Sequence, residues 1–209
     1  MPIDRPPTVE RLNDGPPSTP RQSATVILLR DGDGLELLLV LRNPAQRFMG
    51  GYWVFPGGAV DAREGEGDAA HRAAAVRELA EEAGVGGIGA GELVKYSRWI
   101  TPEQIATRFD THFFLARAPA GAQAVPDGSE CVDLRWSSPR AALDAHAAGE
   151  LPLVFPTLRH LQELSAFATV EELLAHARAK DIRPVQPRVV MRDGTAEVLL
   201  PGEPGYAGE

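Results

Sequence analysis

One helix with three glutamates on a single side and a glycine stop at its end constrains this chain more than any other segment. Asp68 is a good N-cap residue, the alanine-rich run Ala69 to Ala83 favours helix, and Gly84 adopts the left-handed conformation that ends one. At about 100° per residue, Val76, Leu79, Ala80 and Ala83 share one sector with Ala69 and the stem of Arg72, which predicts the core face. Arg77, Glu78, Glu81 and Glu82 fall on the opposite arc, and spacings of three and four let the carboxylates converge. Crowded carboxylates repel unless a cation joins them; the alternative is a solvated face with Arg77 paired to Glu81. Oxygen donors with no cysteine or histidine nearby suit Mg²⁺ or Mn²⁺. The preceding Phe55-Pro56-Gly57-Gly58 lets backbone approach a ligand closely.

Gly58, Glu64 and the run Arg77-Glu78-Leu79-Ala80-Glu81-Glu82-Ala83-Gly84-Val85 resemble the Nudix box, the signature of Nudix hydrolases. The resemblance implies an α/β fold, an α/β/α sandwich around a mixed sheet. It implies metal-dependent cleavage of a diphosphate bond, with Glu78, Glu81, Glu82 and the Gly58 carbonyl as metal ligands. One glutamate acts as general base, and Arg77 orients the glutamates through an ion pair. The catalytic set is therefore Glu81, Glu78 and Arg77, joined by a residue from a downstream loop: Glu130 first, Glu103 second. Twelve residues separate Glu64 from Arg77, five more than the family spacing. The surplus around Gly65-Glu66-Gly67-Asp68 reads as an inserted loop, so either Glu64 or Glu66 partners Arg77.

A second similarity lies upstream. Leu38 to Asn43, Arg47, Gly51 and Phe55 to Gly58 are similar to the motif of coenzyme A diphosphatases within the Nudix superfamily, with Val40 and Asn43 departing from it. This makes Arg42, Arg47, Gly57 and Gly58 candidate substrate contacts and implies coenzyme A or acyl-coenzyme A as substrate. NADH or ADP-ribose cleavage is the alternative, as is a non-hydrolytic sensor of a nucleotide metabolite. His71 reads as a solvated residue near the carboxylate face and His112 as a structural residue in a strand.

The net charge of −8 argues against nucleic-acid or membrane-surface partners and for a small anionic substrate whose charge a metal offsets. The single cysteine, Cys131, excludes an internal disulfide, fits a reducing cytosol and reads as a small buried hydrophobe. No run is long and apolar enough for a membrane span and no signal-peptide core is present, so a cytoplasmic protein is expected.

Residues 1–22 hold six prolines and read as a disordered or extended arm, free or lying along the domain or a partner subunit. The Nudix domain is expected over 23–150 and a helical and hairpin extension over 151–209. Asp31-Gly-Asp-Gly34 and Asp193-Gly194 signal hairpins. Strands are expected at Tyr52–Phe55, Leu93–Ile100, Thr111–Ala116 and Val132–Trp136, and helices at Ser138–Ala148, Pro156–Phe167 and Thr169–Ala179. The leucines of the last two helices need cover, from the domain itself or across a homodimer interface.

Overall fold

The computed structural model describes residues 11–192 and 195–206. Its strands are β1 (Arg21–Gly32), β2 (Gly34–Arg42), β3 (Trp53–Val54), β4 (Gly57–Ala59), β5 (Val94–Ile100), β6 (Phe109–Arg117), β7 (Cys131–Ser137), β8 (Pro184–Val185), β9 (Arg188–Arg192) and β10 (Thr195–Leu199). Its helices are α1 (Gly67–Ala83), α2 (Pro139–Ala147), α3 (Phe155–Leu164) and α4 (Val170–Ala179). Eight strands form one sheet in the order β3-β2-β1-β6-β5-β8, with β4 added to β1 and β7 to β2. The β1–β6 and β5–β8 pairs are parallel and the rest antiparallel, so the sheet is mixed.

The period-2 pleat sorts the core onto two faces. Ile27, Leu29, Leu37 and Leu39 face one layer, covered by α2, α3 and α4. Val26, Leu28, Leu38 and Val40 face the other, covered by Ala74, Ala75, Leu79 and Ala83 of α1. This is the expected α/β/α sandwich. The apolar residues of the C-terminal helices are covered within the chain: Leu161, Leu164 and Leu173 are fully buried in the first layer, with Leu158 half-buried beside them. His160 pins α3 to the sheet. Its Nδ1 lies 2.7 Å from the Pro156 carbonyl and so donates, leaving Nε2 to accept from Ser97 Oγ on β5 at 2.7 Å. Burial pushes its pKa down to about 4.

β1 changes partner along one edge. Its start pairs with β4, with Ser23 opposite Ala59 and Thr25 opposite Gly57. Its end pairs with β2 around the Gly32–Gly34 turn. The strand begins at Arg21, inside the segment expected as an arm. Residues 1–10 of that arm lie outside the described residues. Beyond them, Leu12 bridges Ile105, Ala106 N–H donates to the Arg11 carbonyl at 2.9 Å, and Arg108 donates to the Ser18 carbonyl at 2.7 Å. Asp193 and Gly194, expected to turn the last hairpin, also lie outside the described residues, while β9 and β10 pair antiparallel on either side.

Candidate active site

α1 starts at Gly67, before the expected cap. Glu66 stands at the N-cap without a side-chain bond, and Asp68 lies in the first turn, paired with Arg72 and Lys95. Part of the surplus read as loop is therefore helix. Gly84 ends α1 as expected, in the left-handed conformation at φ 65°. The core face differs from the wheel expectation. Ala70, Ala74, Ala75, Leu79, Glu82 and Ala83 are buried, Val76 is half-buried and Ala80 is exposed. The cause is Glu82, which is 2 % exposed. Its Oε2 accepts from Gly57 N–H at 2.8 Å and its Oε1 from Arg42 at 3.1 Å. A carboxylate satisfied inside rotates the face inward and turns Ala80 out.

Burial pushes the Glu82 pKa up to about 7, against the Gly57 N–H and Arg42 and with help from Glu78 and Glu130. The folded value lies above the unfolded value of 4.5, so the native state holds an extra proton between them. That contribution is fully present below pH 4.5 and lost as pH rises through about 7, on the order of 3 kcal/mol in all. In metal-free protein the stability of wild type relative to Glu82→Gln is therefore expected to decline by that amount over this window. Urea unfolding across pH checks it, and a pH-independent difference contradicts it.

Arg77 gathers the remaining acids. It donates to both oxygens of Glu64 (2.9 and 3.4 Å), to Glu78 (2.8 Å), to Glu81 (2.9 Å) and to the Ala59 carbonyl (3.0 Å). Of the two expected partners it is Glu64 that pairs, while Glu66 is exposed at the head of α1. Glu64 also accepts from Asp61 N–H in a capping box. Burial works to raise its pKa, but Arg77 and the Asp61 N–H outweigh that and hold it below the usual range. Glu78, behind Arg77, has its pKa raised by burial. A methyl group at Gly58 would collide with the Glu78 carboxylate, so glycine there lets that carboxylate lie against β4.

Glu130 arrives on a clamped loop. Asp127 accepts from the N–H groups of Ser129, Glu130 and Cys131 and from the Ser129 hydroxyl. Burial raises its pKa, yet these donors bring it to about 2. Asn43 docks the same loop, its N–H donating to the Glu130 carbonyl and its amide to the Ser129 carbonyl, both at 2.8 Å. Glu130 then lies 3.8 Å from Arg42. Glu78, Glu81, Glu82, Asp127, Ser129 and Glu130 border one hollow of about 240 Å³.

Among the described residues, no three carboxylate, histidine or cysteine groups already form a metal cage. Arg77 Nη1 lies between Glu78 and Glu81, in place of the open convergence expected of the three glutamates. The donor set nevertheless fits a hard divalent cation. It is all oxygen, it crowds carboxylates into one hollow, and the burial of Glu78 leaves charge to be neutralised.

Other expected site residues fall elsewhere. Arg47 is exposed and makes no ion pair or side-chain hydrogen bond among the described residues. Glu103 is exposed, its carbonyl held by Asn13, and does not border the acidic hollow. His71 is buried rather than solvated. It bonds to the Gly67 carbonyl (2.7 Å) and Gln22 (3.0 Å) and stacks on His112 with centroids 3.8 Å apart. Burial, and then His71, push the His112 pKa down to about 4. Cys131 is buried, as expected of a small hydrophobe.

The acidic residues sit at one end of a cleft of about 460 Å³. Its other end is apolar, built from Trp99, Ile105, Phe109 and Phe113, Phe155 of α3, and Val189 and Val198 of the last hairpin. No sequence motif announces that a C-terminal hairpin completes this end of the cleft.

The NUDIX domain family matches residues 19–158. The Caenorhabditis elegans protein described as "Putative nudix hydrolase 7" is 26% identical over 90% of this chain and 75% of its own length. A Bacillus subtilis protein described as "Putative 8-oxo-dGTP diphosphatase" is 33% identical over 63% of this chain and 70% of its own length. The crystal structure of a NUDIX hydrolase from Alicyclobacillus acidocaldarius superposes with a TM-score of 0.69 at 28% identity, covering 76% of this chain and 96% of that one. With the matched domain spanning β1 to β7, the acidic helix and the acidic end of the cleft, the chain belongs to the Nudix hydrolase family.

Proposed function

We propose that this protein hydrolyses the diphosphate bond of a nucleoside diphosphate linked to another group, with coenzyme A or an acyl-coenzyme A as the favoured substrate and Mg²⁺ or Mn²⁺ as the ion. The observation that carries the reading is the cleft, acidic and arginine-bearing at one end and aromatic and apolar at the other. A diphosphate at the acidic end leaves the rest of a long substrate to lie along the apolar end. Glu78 and Glu81 are the ligands that would hold the ion, with Glu82 and the Gly58 carbonyl bordering it. A divalent cation supplies neutralisation of the diphosphate oxygens and a lower pKa for water. Arg77 orients Glu78 and Glu81 while braced by Glu64. Glu130, exposed on its clamped loop, would take a proton from the attacking water as general base. Arg42 offers its guanidinium to the phosphates from a site anchored on Glu82.

A second reading, cleavage of an oxidised nucleoside triphosphate, rests on the 33% identity to the Bacillus subtilis relative. Incubation with Mg²⁺ and a panel of coenzyme A, acyl-coenzyme A, NADH, ADP-ribose and 8-oxo-dGTP, with product analysis, separates the two. The expected products are 3′,5′-ADP and 4′-phosphopantetheine or its acyl form. Release of 8-oxo-dGMP alone selects the second reading, and no turnover of any member points to a metabolite sensor.

A further inference from the structure

Three arginines line the cleft: Arg21, Arg42 and Arg77. Two are already neutralised. Arg42 is bound to Glu82 and Glu130, and Arg77 to Glu64, Glu78 and Glu81. Arg21 has no carboxylate within ion-pairing distance among the described residues. Its guanidinium rests over the Phe109 ring, 5.7 Å from the centroid, and the Phe48 ring lies 5.2 Å from that of Phe109. In a chain of net charge −8, an exposed arginine that lines the cleft over an aromatic ring, with no carboxylate partner among the described residues, is suited to meet an anion.

Its position says which anion. The pleat sends Arg21, Ser23 and Thr25 to the same face of β1, and all three line the cleft. Arg21 stands opposite Phe109 in the β1–β6 register, and Ser23 Oγ meets Thr111 Oγ1 at 2.6 Å one pleat further along. Gly58, against which Glu78 lies, pairs with Ala24, three residues from Arg21, so strand rise separates the two ends by roughly 10 Å. At that separation a second anion of the same substrate, about one nucleoside from a diphosphate at the glutamates, comes within reach of the Arg21 side chain.

We propose that Arg21 is a specificity residue that reads a phosphomonoester on the ribose of the nucleotide, so that the protein prefers 3′- or 2′-phosphorylated nucleoside diphosphate derivatives over their dephosphorylated forms. The proposal rests on the diphosphatase reading of the same cleft. Its signature is a change confined to one member of each matched substrate pair.

The test compares wild type, Arg21→Gln and Arg21→Lys on coenzyme A against 3′-dephospho-coenzyme A and on NADPH against NADH. Loss of a charge-assisted fork is expected to raise KM for the phosphorylated member roughly tenfold in Arg21→Gln, with the dephosphorylated member and kcat unchanged. Arg21→Lys keeps the charge and should recover part of the loss. An equal effect on both members of a pair, or no effect on either, overturns the proposal. Calorimetric binding of adenosine 3′,5′-bisphosphate against AMP supplies a readout without turnover. A wild-type preference for the bisphosphate that Arg21→Gln abolishes upholds the assignment even where the diphosphatase reading fails; no preference overturns it.

Discussion

Glu81→Gln is expected to lower kcat/KM on the hydrolysed diphosphate by about 10²- to 10³-fold, the range for removing a single charge-stabilising group from a preorganised site. The same substitution should leave the melting temperature within about 2 °C. Glu81 has 57% of its side chain exposed, and its side-chain partner among the described residues is Arg77. An exposed pair of this kind adds little to stability, and Arg77 keeps Glu64 and Glu78 without it. Activity assays and thermal unfolding on the same preparation check both halves. Retained turnover would show that Glu81 belongs to a solvated helix face. Glu82 offers a contrast, since its buried carboxylate holds the Gly57 N–H and Arg42, so Glu82→Gln should disturb folding and activity together.

The adjacent glycines should separate in the same two assays. A methyl group on Gly57 would lie 2.5 Å from the Ala24 carbonyl oxygen and 2.7 Å from Thr25 Cα, both backbone atoms of β1. They cannot yield without breaking the β1–β4 pairing, so Gly57→Ala is expected to cost about 3 kcal/mol and lower the melting temperature by roughly 10 °C. At Gly58 the methyl group meets the Glu78 carboxylate, the free end of a flexible side chain. Gly58→Ala should fold normally and lose roughly 100-fold in kcat/KM, because Glu78 is displaced from its place against β4. Matching behaviour of the two variants would mean that the close approaches at positions 57 and 58 do not matter in the way the geometry implies.

The family and its acidic helix were legible because fixed spacing on a helix is itself geometry: Glu78 and Glu81 follow from positions along one element. The inversion of Glu82 was not. A helical wheel sends charge outward, and only the Gly57 N–H and Arg42, contributed by other elements, make an inward carboxylate tolerable. His71 failed for a related reason, since its stacking partner His112 lies on β6 and its hydrogen-bond partner Gln22 on β1. Arg21 was hidden by proline-rich surroundings that read as an arm, although parallel pairing with β6 makes it the first residue of the central strand. Glu130 was a candidate from its place before a strand, while the Asp127 clamp and the Asn43 dock that hold its loop beside the acidic hollow join residues from separate segments. Arg47 carries the motif's spacing and lies exposed, bordering neither the acidic hollow nor the cleft.

The bridging role of Arg77 has a consequence for ligand entry. Glu78 and Glu81 would each lose on the order of 1.5 kcal/mol of rotamer freedom when immobilised by an ion. Arg77 already restricts both, so that entropy is given up during folding and not at the moment of binding. An ion held by these glutamates would take the place of one nitrogen of a guanidinium whose other atoms bond Glu64 and Ala59. The glutamates would thus exchange one positive partner for another while Arg77 itself stays tied to Glu64 and Ala59, beside the site.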